Sequence, residues 1–223
     1  MTPPLAPFFW YNSLCMMIYR EDGYMAELQA ALQTPQNAGG PGGKYRLAEA
    51  VKRCMVRHSL EDITVKEITS EAGVSRQTFY RHFLDKYDLV NWYFDELLAN
   101  SFREMGYGRT VYEGLVRKFR YIQAEKVFFR AAFQSVQQNN LKDHDFRKIF
   151  AFYQDLYRKK TGKELDRSVL ALLEMYCQAS IYMTAKWVGQ GTREATPEQL
   201  ADLMLQAMPP VLIEKFTVCG LLR

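Results

Sequence analysis

The segment Thr64-Val-Lys-Glu-Ile-Thr-Ser-Glu-Ala-Gly-Val-Ser-Arg-Gln-Thr-Phe-Tyr-Arg-His-Phe83 constrains the fold more than any other stretch of the chain. It opens on a capping box. The Thr64 hydroxyl can accept from the Glu67 amide while the Glu67 carboxylate reaches back to the Thr64 amide, which starts a helix. Val65, Ile68 and Ala72 fall on one face of that helix, and Ala72 is small enough to let a second helix approach closely. Gly73 follows where a tight turn needs positive φ, which glycine adopts without steric cost. Ser75 then caps a second short helix whose inner side is Phe79 and Phe83, one turn apart. Two short helices joined in this way, with Val74 between them, face each other and a third. The pattern is a helix-turn-helix over residues 64–83.

With both phenylalanines turned inward, Arg76, Gln77, Tyr80 and Arg81 project together. Arginine and glutamine can each pair bidentately with a base edge, so a rigid surface of this kind suits a DNA major groove. A plain helical hairpin with a solvated face would share the turn. It would not require the conjunction of capping box, Ala-Gly turn, second cap and polar-aromatic outer face. The net charge of +4 is too mild to argue for nucleic acid, so the placement of the basic residues carries the case.

The rest of the chain reads as helix from Lys44 onward. Leu47, Val51, Cys54 and Met55 recur at helical spacing, as do Val111, Leu115, Phe119 and Ile122, and strand alternation is absent. The pattern predicts helices near 44–58, 65–72, 76–83, 86–105, 110–122, 125–137, 142–160, 166–188 and 197–216. Asp85 is a good cap, and Thr196-Pro-Glu-Gln199 repeats the capping-box logic with Pro197 preset for the first helical position. The fold class is therefore all-α. An N-terminal three-helix DNA-binding domain (44–90) precedes a C-terminal helical regulatory and dimerisation domain (91–223). Residues 1–43, ending in Ala38-Gly-Gly-Pro-Gly-Gly43, read as a flexible extension.

Several function classes recede. No apolar run approaches the roughly 18 residues needed to span a bilayer. The apolar stretch Phe8–Tyr19 lacks a preceding basic segment, so a cytoplasmic location is expected. Cys15, Cys54, Cys177 and Cys219 are scattered without a C-x-x-C pair, as reduced structural thiols are. His58, His82 and His144 are dispersed, and no nucleophile elbow, phosphate-binding glycine loop or metal cluster is evident. Neither enzymatic activity nor a cofactor or metal is expected. Asp143-His-Asp145 looks like solvated charge at a helix start, because consecutive helical residues point in different directions.

Residues 166–188 are apolar on nearly every side and should be buried, one face in their own core and the other against a second subunit. The last predicted helix offers Leu200, Leu203, Met204, Met208 and Leu212 to the same purpose. A two-fold dimer would present two recognition helices to successive major-groove faces.

Residues 44–90 resemble the DNA-binding domain of TetR/AcrR-family regulators. The likeness lies in the run Glu71-Ala-Gly-Val-Ser75, in Thr78-Phe-Tyr-Arg-His-Phe83, and in Lys86 at the start of the next helix. It implies that Thr64, Tyr80, His82 and Lys86 hold phosphates while Ser75, Arg76, Gln77 and Thr78 lie near base edges, with Arg81 beside them. The C-terminal part resembles the family's regulatory domain more loosely. Trp187-Val-Gly-Gln-Gly191 and Thr196-Pro-Glu-Gln-Leu200 are similar to a group of Firmicute-type members. The resemblance implies a homodimer joined by a four-helix interface of the last two long helices, a palindromic double-stranded operator, and a ligand cavity among aromatic helices. Phe119, Phe129, Phe133, Phe150, Tyr153, Tyr176 and Tyr182 are the candidate lining. The expected activity is repression relieved by a small-molecule effector. The alternative is an activator or coactivator of the same fold acting with a protein or small-molecule partner.

Overall fold

The computed structural model describes residues 41–103, 105, 109–136, 140–190 and 195–222. Among them lie ten helices and no β-strand. They are α1 (Pro41–Met55), α2 (Val65–Ala72), α3 (Arg76–His82), α4 (Lys86–Phe102), α5 (Val111–Ala124), α6 (Lys126–Gln134), α7 (Leu141–Thr161), α8 (Arg167–Gln190), α9 (Pro197–Gln206) and α10 (Pro210–Val218). The all-α architecture matches the expectation. Most of the extension read at 1–43 lies outside the described residues. Its last three residues do not behave as linker, because Pro41, Gly42 and Gly43 form the first turn of α1. Proline is preset for that position, and first-turn amides have no intrahelical partner to lose.

The local signals in α2, α3 and α4 act as read. Thr64 and Glu67 make the reciprocal capping box, Gly73 ends α2 with φ of 64°, and Ser75 and Asp85 cap α3 and α4. A further box, Thr110 with Glu113, starts α5. Long-range contacts clamp α1 onto this unit. The Arg46 guanidinium donates to the Ala72 carbonyl at 2.9 Å, and Arg53 and Arg57 both reach the Glu71 carboxylate, at 2.7 and 3.1 Å.

Behind it, α4 packs on α5 and α7, α9 runs along α5, and α8 packs against α6, α7 and α10. Gly114 is the close-approach point of α5. A Cβ there would meet the Met105 methyl and sit 2.8 Å from the Phe102 ring, so any larger residue forces these side chains to shift. The Leu221 carbonyl accepts from the Val111 amide at 2.7 Å and so satisfies one orphan donor at the start of α5.

The single helix expected over 197–216 is two helices. Pro209-Pro210 interrupts it, since proline lacks an amide and disfavours helical geometry in the residue before it. The apolar helix α8 is not buried all round: Leu173, Tyr176, Cys177 and Trp187 face the core, while Met175, Tyr182 and Met183 are exposed. Of the five positions expected to serve the interface, Leu200, Met204, Met208 and Leu212 are buried within the chain's own core, and only Leu203, 53% exposed, remains for a second subunit. Among the described residues no helix is long and apolar enough to cross a membrane, and no cluster of potential metal ligands occurs.

Candidate nucleic-acid interface and interior cavity

Helix α3 is a short platform whose orientation is fixed from below. Phe79 is fully buried, Phe83 nearly so, and their ring centroids lie 5.8 Å apart. Phe83 continues onto Trp92 of α4 at 5.5 Å. The opposite side leaves Ser75, Arg76, Gln77, Tyr80 and Arg81 exposed. Arg76 and Gln77 carry no hydrogen bond among the described residues, so their donors and acceptors remain available. Tyr80 lies edge-on to Phe79 at 5.4 Å, which steadies the ring while its hydroxyl stays in solvent.

The other nominated residues divide by what already occupies them. The Ser75 hydroxyl accepts from the Thr78 amide at 3.1 Å and lies 3.0 Å from the Thr78 hydroxyl, so this pair serves as the cap of α3. The Thr64 hydroxyl accepts from the Glu67 amide at 3.2 Å and donates to its carboxylate at 2.8 Å. The bonds donated by the Thr64 amide and then its hydroxyl hold the Glu67 carboxyl below the usual carboxylate range. His82 is half-buried against Phe83, with Nε2 shielded and unpartnered among the described residues. Lys86 departs most from the expectation. Its ammonium donates to the Glu61 and Ile63 carbonyls at 2.6 and 2.8 Å, which engages two of its three protons and braces the loop before α2. Burial lowers its pKa, opposed by nearby Glu61, Asp62 and Asp85.

Residues missed from the sequence supply the rest of the frame. Arg53 lies on α1 and Arg57 in the turn just after it, but nothing local announces that Glu71 lies opposite them.

The model for bacterial regulatory proteins of the tetR family matches residues 47–91, and one described as a transcriptional regulator C-terminal region matches residues 109–209. The chain belongs to the TetR family. It is similar to the HTH-type dhaKLM operon transcriptional activator DhaS of Lactococcus lactis subsp. lactis, 30% identical over 39% of this chain and 46% of that protein. It is also similar to an HTH-type transcriptional regulator of Staphylococcus aureus (strain MRSA252), 24% identical over 52% of this chain and 67% of that one. The first match thus spans about half the relative's length. A solved structure, the dihydroxyacetone kinase operon activator DhaS, shares the fold with a TM-score of 0.54 and 19% identity, over 78% of this chain and 96% of that one. This TetR-family chain is accordingly a helix-turn-helix transcription regulator.

The regulator's C-terminal region encloses a cavity of about 20 Å³ between α4, α5, α7, α8 and α9. Of the nominated aromatics, Phe119, Tyr153 and Tyr176 line it. Phe129 and Phe133 instead join a ring cluster with Phe94 and Phe128, and Phe150 is half-buried and stacks on Phe146 at 5.4 Å. Tyr182 points outward from α8, 67% exposed, because helical spacing puts it on the face opposite Tyr176 and Cys177.

One wall is ionic. Lys118 Nζ lies 3.0 and 2.9 Å from the two oxygens of Asp145, whose side chain is fully buried. Burial raises the Asp145 pKa, and the adjacent Lys118 charge counters that only in part. The reading of residues 143–145 as solvated charge therefore holds in direction but not in exposure. Asp143 closes a cap with Asn140, His144 Nε2 contacts Asp95 at 2.7 Å, and Asp145 turns into the core. Burial also pushes the Cys177 thiol up to about 12 and the Tyr153 and Tyr176 phenols upward.

A polar junction joins the two regions. Lys52 of α1 meets the Glu125 carboxylate at 2.9 Å and donates to the Tyr93 hydroxyl at 3.2 Å, and that hydroxyl donates to Glu125 at 2.5 Å. Glu125 is the single residue between α5 and α6.

Proposed function

We propose that this TetR-family regulator is a cytoplasmic homodimer that occupies a palindromic operator as a repressor and leaves it when a small molecule enters the C-terminal region. The observation that carries the DNA reading is the outward face of α3, where Arg76 and Gln77 stand uncommitted in the first turn over a fixed pair of phenylalanines. In this reading residues 44–90 grip DNA and residues 91–223 dimerise and receive the effector. Arg76 and Gln77 read base edges, with Ser75 and Thr78 close by. Thr64, Tyr80, Arg81 and His82 approach phosphates, and any Lys86 phosphate contact uses its one remaining proton.

The exposed apolar stripe of α8, with Met175, Tyr182 and Met183, supports a second copy as its occupant. A two-fold pairing there sets two α3 helices against two half-sites. The route from effector to DNA runs along α5. This helix carries Lys118 and ends at Glu125, whose carboxylate holds Lys52 of α1, and α1 holds Glu71 of α2 through Arg53. A shift of α5 would therefore pull on the frame of the helix-turn-helix.

A second reading is favoured by the name of one relative and one structural neighbour, both operon activators. The DNA grip is then the same, and bound regulator raises transcription, alone or with a partner. Binding-site selection with the full chain, followed by sedimentation and transcription from the selected site, tests both. An inverted repeat bound by a dimer is expected, as is a shift to monomer on Met175→Glu. A monomer at micromolar concentration, or selection of no inverted repeat, would overturn the dimeric operator reading. Transcription falling or rising with occupancy separates repressor from activator.

A further inference from the structure

We infer that the cavity beside Lys118 and Asp145 is a binding site for a small uncharged molecule carrying a carbonyl or hydroxyl oxygen. Its regulatory role rests on the proposal that an effector acts through the C-terminal region.

The donors define what must enter. Tyr153 is 2% exposed, lines the cavity, and its hydroxyl makes no hydrogen bond among the described residues. The hydroxyl cannot swing elsewhere, because the ring is stacked on Phe216 at 5.2 Å and held edge-on by Phe152 at 5.8 Å. A buried hydroxyl without a partner is costly, so a site that offers one favours an occupant able to pair with it. Lys118 has the same need. Two of its protons meet Asp145 and Nζ also lies 5.4 Å from the Phe94 ring centroid, while no further oxygen accepts from it among the described residues. The Tyr176 hydroxyl donates to the Met204 carbonyl at 3.1 Å and the Thr184 hydroxyl to the Ser180 carbonyl at 2.8 Å, whereas the Ser180 hydroxyl, which also lines the cavity, is buried without a partner among the described residues. Lys118 and Tyr153 as donors, with the Ser180 hydroxyl on the same lining, call for a guest that carries an acceptor oxygen.

The charge of the wall selects against ions. Lys118 and Asp145 cancel, and Cys177, Tyr153 and Tyr176 remain protonated at neutral pH. An anion would sit beside the Asp145 carboxylate in a poorly screened enclosure, and a cation beside the Lys118 ammonium. A neutral polar molecule meets both donors without either repulsion. The pair itself is a weak source of stability, since apolar residues of similar volume often do as well. As the polar wall of a site it has a use.

The space limits size. A cavity of about 20 Å³ accommodates about one water molecule. Met204 forms part of the wall, and a guest of a few heavy atoms enters only when its unbranched, flexible thioether turns aside to enlarge the space.

Acetamide and acetate, alike in shape and different in charge, are suitable probes. Each is titrated into the full-length regulator labelled at methionine and isoleucine methyl groups, with Met204, Ile149 and Ile181 as reporters. Acetamide should shift these methyls saturably, and acetate should not. Tyr153→Phe removes only an unpaired hydroxyl, so the variant should melt at or above the wild-type temperature while its acetamide affinity falls about tenfold, the worth of one hydrogen bond. Equal binding of acetate, absence of any saturable shift, or unchanged affinity in Tyr153→Phe overturns the inference. Operator titrations at saturating acetamide separate the two claims. Binding without a change in operator affinity keeps the site and removes its effector role. Failure to bind removes the site and leaves the DNA and dimer reading to its own tests.

Discussion

In the helix-turn-helix, Phe79 and Phe83 turn inward while Arg76, Gln77 and Tyr80 face water. In the C-terminal region Met175, Tyr182 and Met183 face water while Lys118 and Asp145 are buried. Each region thus places on its surface the chemistry that its proposed partner lacks in solvent. Phosphates and base edges are met by side chains that lose little on leaving water one face at a time. A second copy is met by apolar side chains whose removal from water is itself favourable. The interiors differ correspondingly. Dispersion and area burial hold α3, whereas the α5–α7 contact includes two charges whose removal from water is costly and whose mutual geometry must be good to offset it.

The largest expected effects break these two interiors. Lys118→Met leaves Asp145 buried without its partner and should cost about 3–5 kcal/mol, whereas Lys118→Met with Asp145→Leu should return close to wild-type stability. Phe79→Ala should also cost about 3–5 kcal/mol, since the ring is fully buried, and no second substitution of comparable simplicity restores it. Urea unfolding of the four proteins, wild type included, measures this contrast. A double variant as unstable as Lys118→Met alone would mean that the pair supports the core through its shape rather than its charge balance.

The two regions were also unequally legible. Every signal that fixed the helix-turn-helix is local: Thr64 and Glu67 are one turn apart, Gly73 needs only its own φ, and Phe79 and Phe83 share a face. The C-terminal region depends on meetings across the chain. Lys118 and Asp145 are 27 residues apart, and nothing near either one predicts the other. Tyr176 and Tyr182 looked alike as aromatic positions on an apolar helix, yet one lines the cavity and the other is on the surface, because α8 has apolar residues on both faces. The Pro209-Pro210 break is a local signal that the apolar spacing from Leu200 to Leu212 masks, because that spacing continues across it. Lys86 shows the limit of resemblance: the position matches the family, while its ammonium is turned onto backbone carbonyls.

Lys86 yields the next effect in size. If it braces the loop before α2, Lys86→Ala should destabilise the helix-turn-helix by about 1.5–3 kcal/mol, the range for hydrogen bonds from a charged donor. The salt dependence of operator binding should then be unchanged. If its third proton reaches a phosphate, the salt slope should become shallower by about one per subunit. Melting curves and titrations at two salt concentrations separate the roles. An unaltered melt would discard the brace.

Gln77→Ala should leave stability within about 0.5 kcal/mol, because the side chain is exposed and makes no hydrogen bond among the described residues. Its effect should fall on sequence preference, relaxing about 1–3 kcal/mol of discrimination at one position in each half-site. Binding-site selection on the variant reads this directly. An unchanged selected sequence with uniformly weaker binding would move Gln77 from base edge to backbone and turn the α3 docking around.

The smallest effect contrasts carboxylates. Hydrogen bonds from Arg53 and Arg57 hold the Glu71 pKa below its usual 4.5, and those from Thr64 do the same for Glu67. A carboxyl with a depressed folded pKa contributes stability that is fully present above the unfolded value and lost as pH falls through the folded one. Asp145 has the opposite sign: burial raises its pKa above 3.8, so its contribution favours the fold at acid pH and is lost as pH rises through the folded value. Glu71→Gln should therefore make the regulator slightly less stable than wild type at neutral pH. The gap should close as the pH falls through and below 4.5, where wild-type Glu71 takes up its proton. The difference will be modest because Glu71 sits at a solvent-accessible edge where its ion pairs are screened. Urea midpoints of both proteins from neutral pH down to about pH 3 follow the gap across the acid limb of the linkage. A gap that stays constant or widens on acidification would show that Glu71 acts through packing, and that the Arg53 and Arg57 contacts do not clamp α1 to α2 by charge.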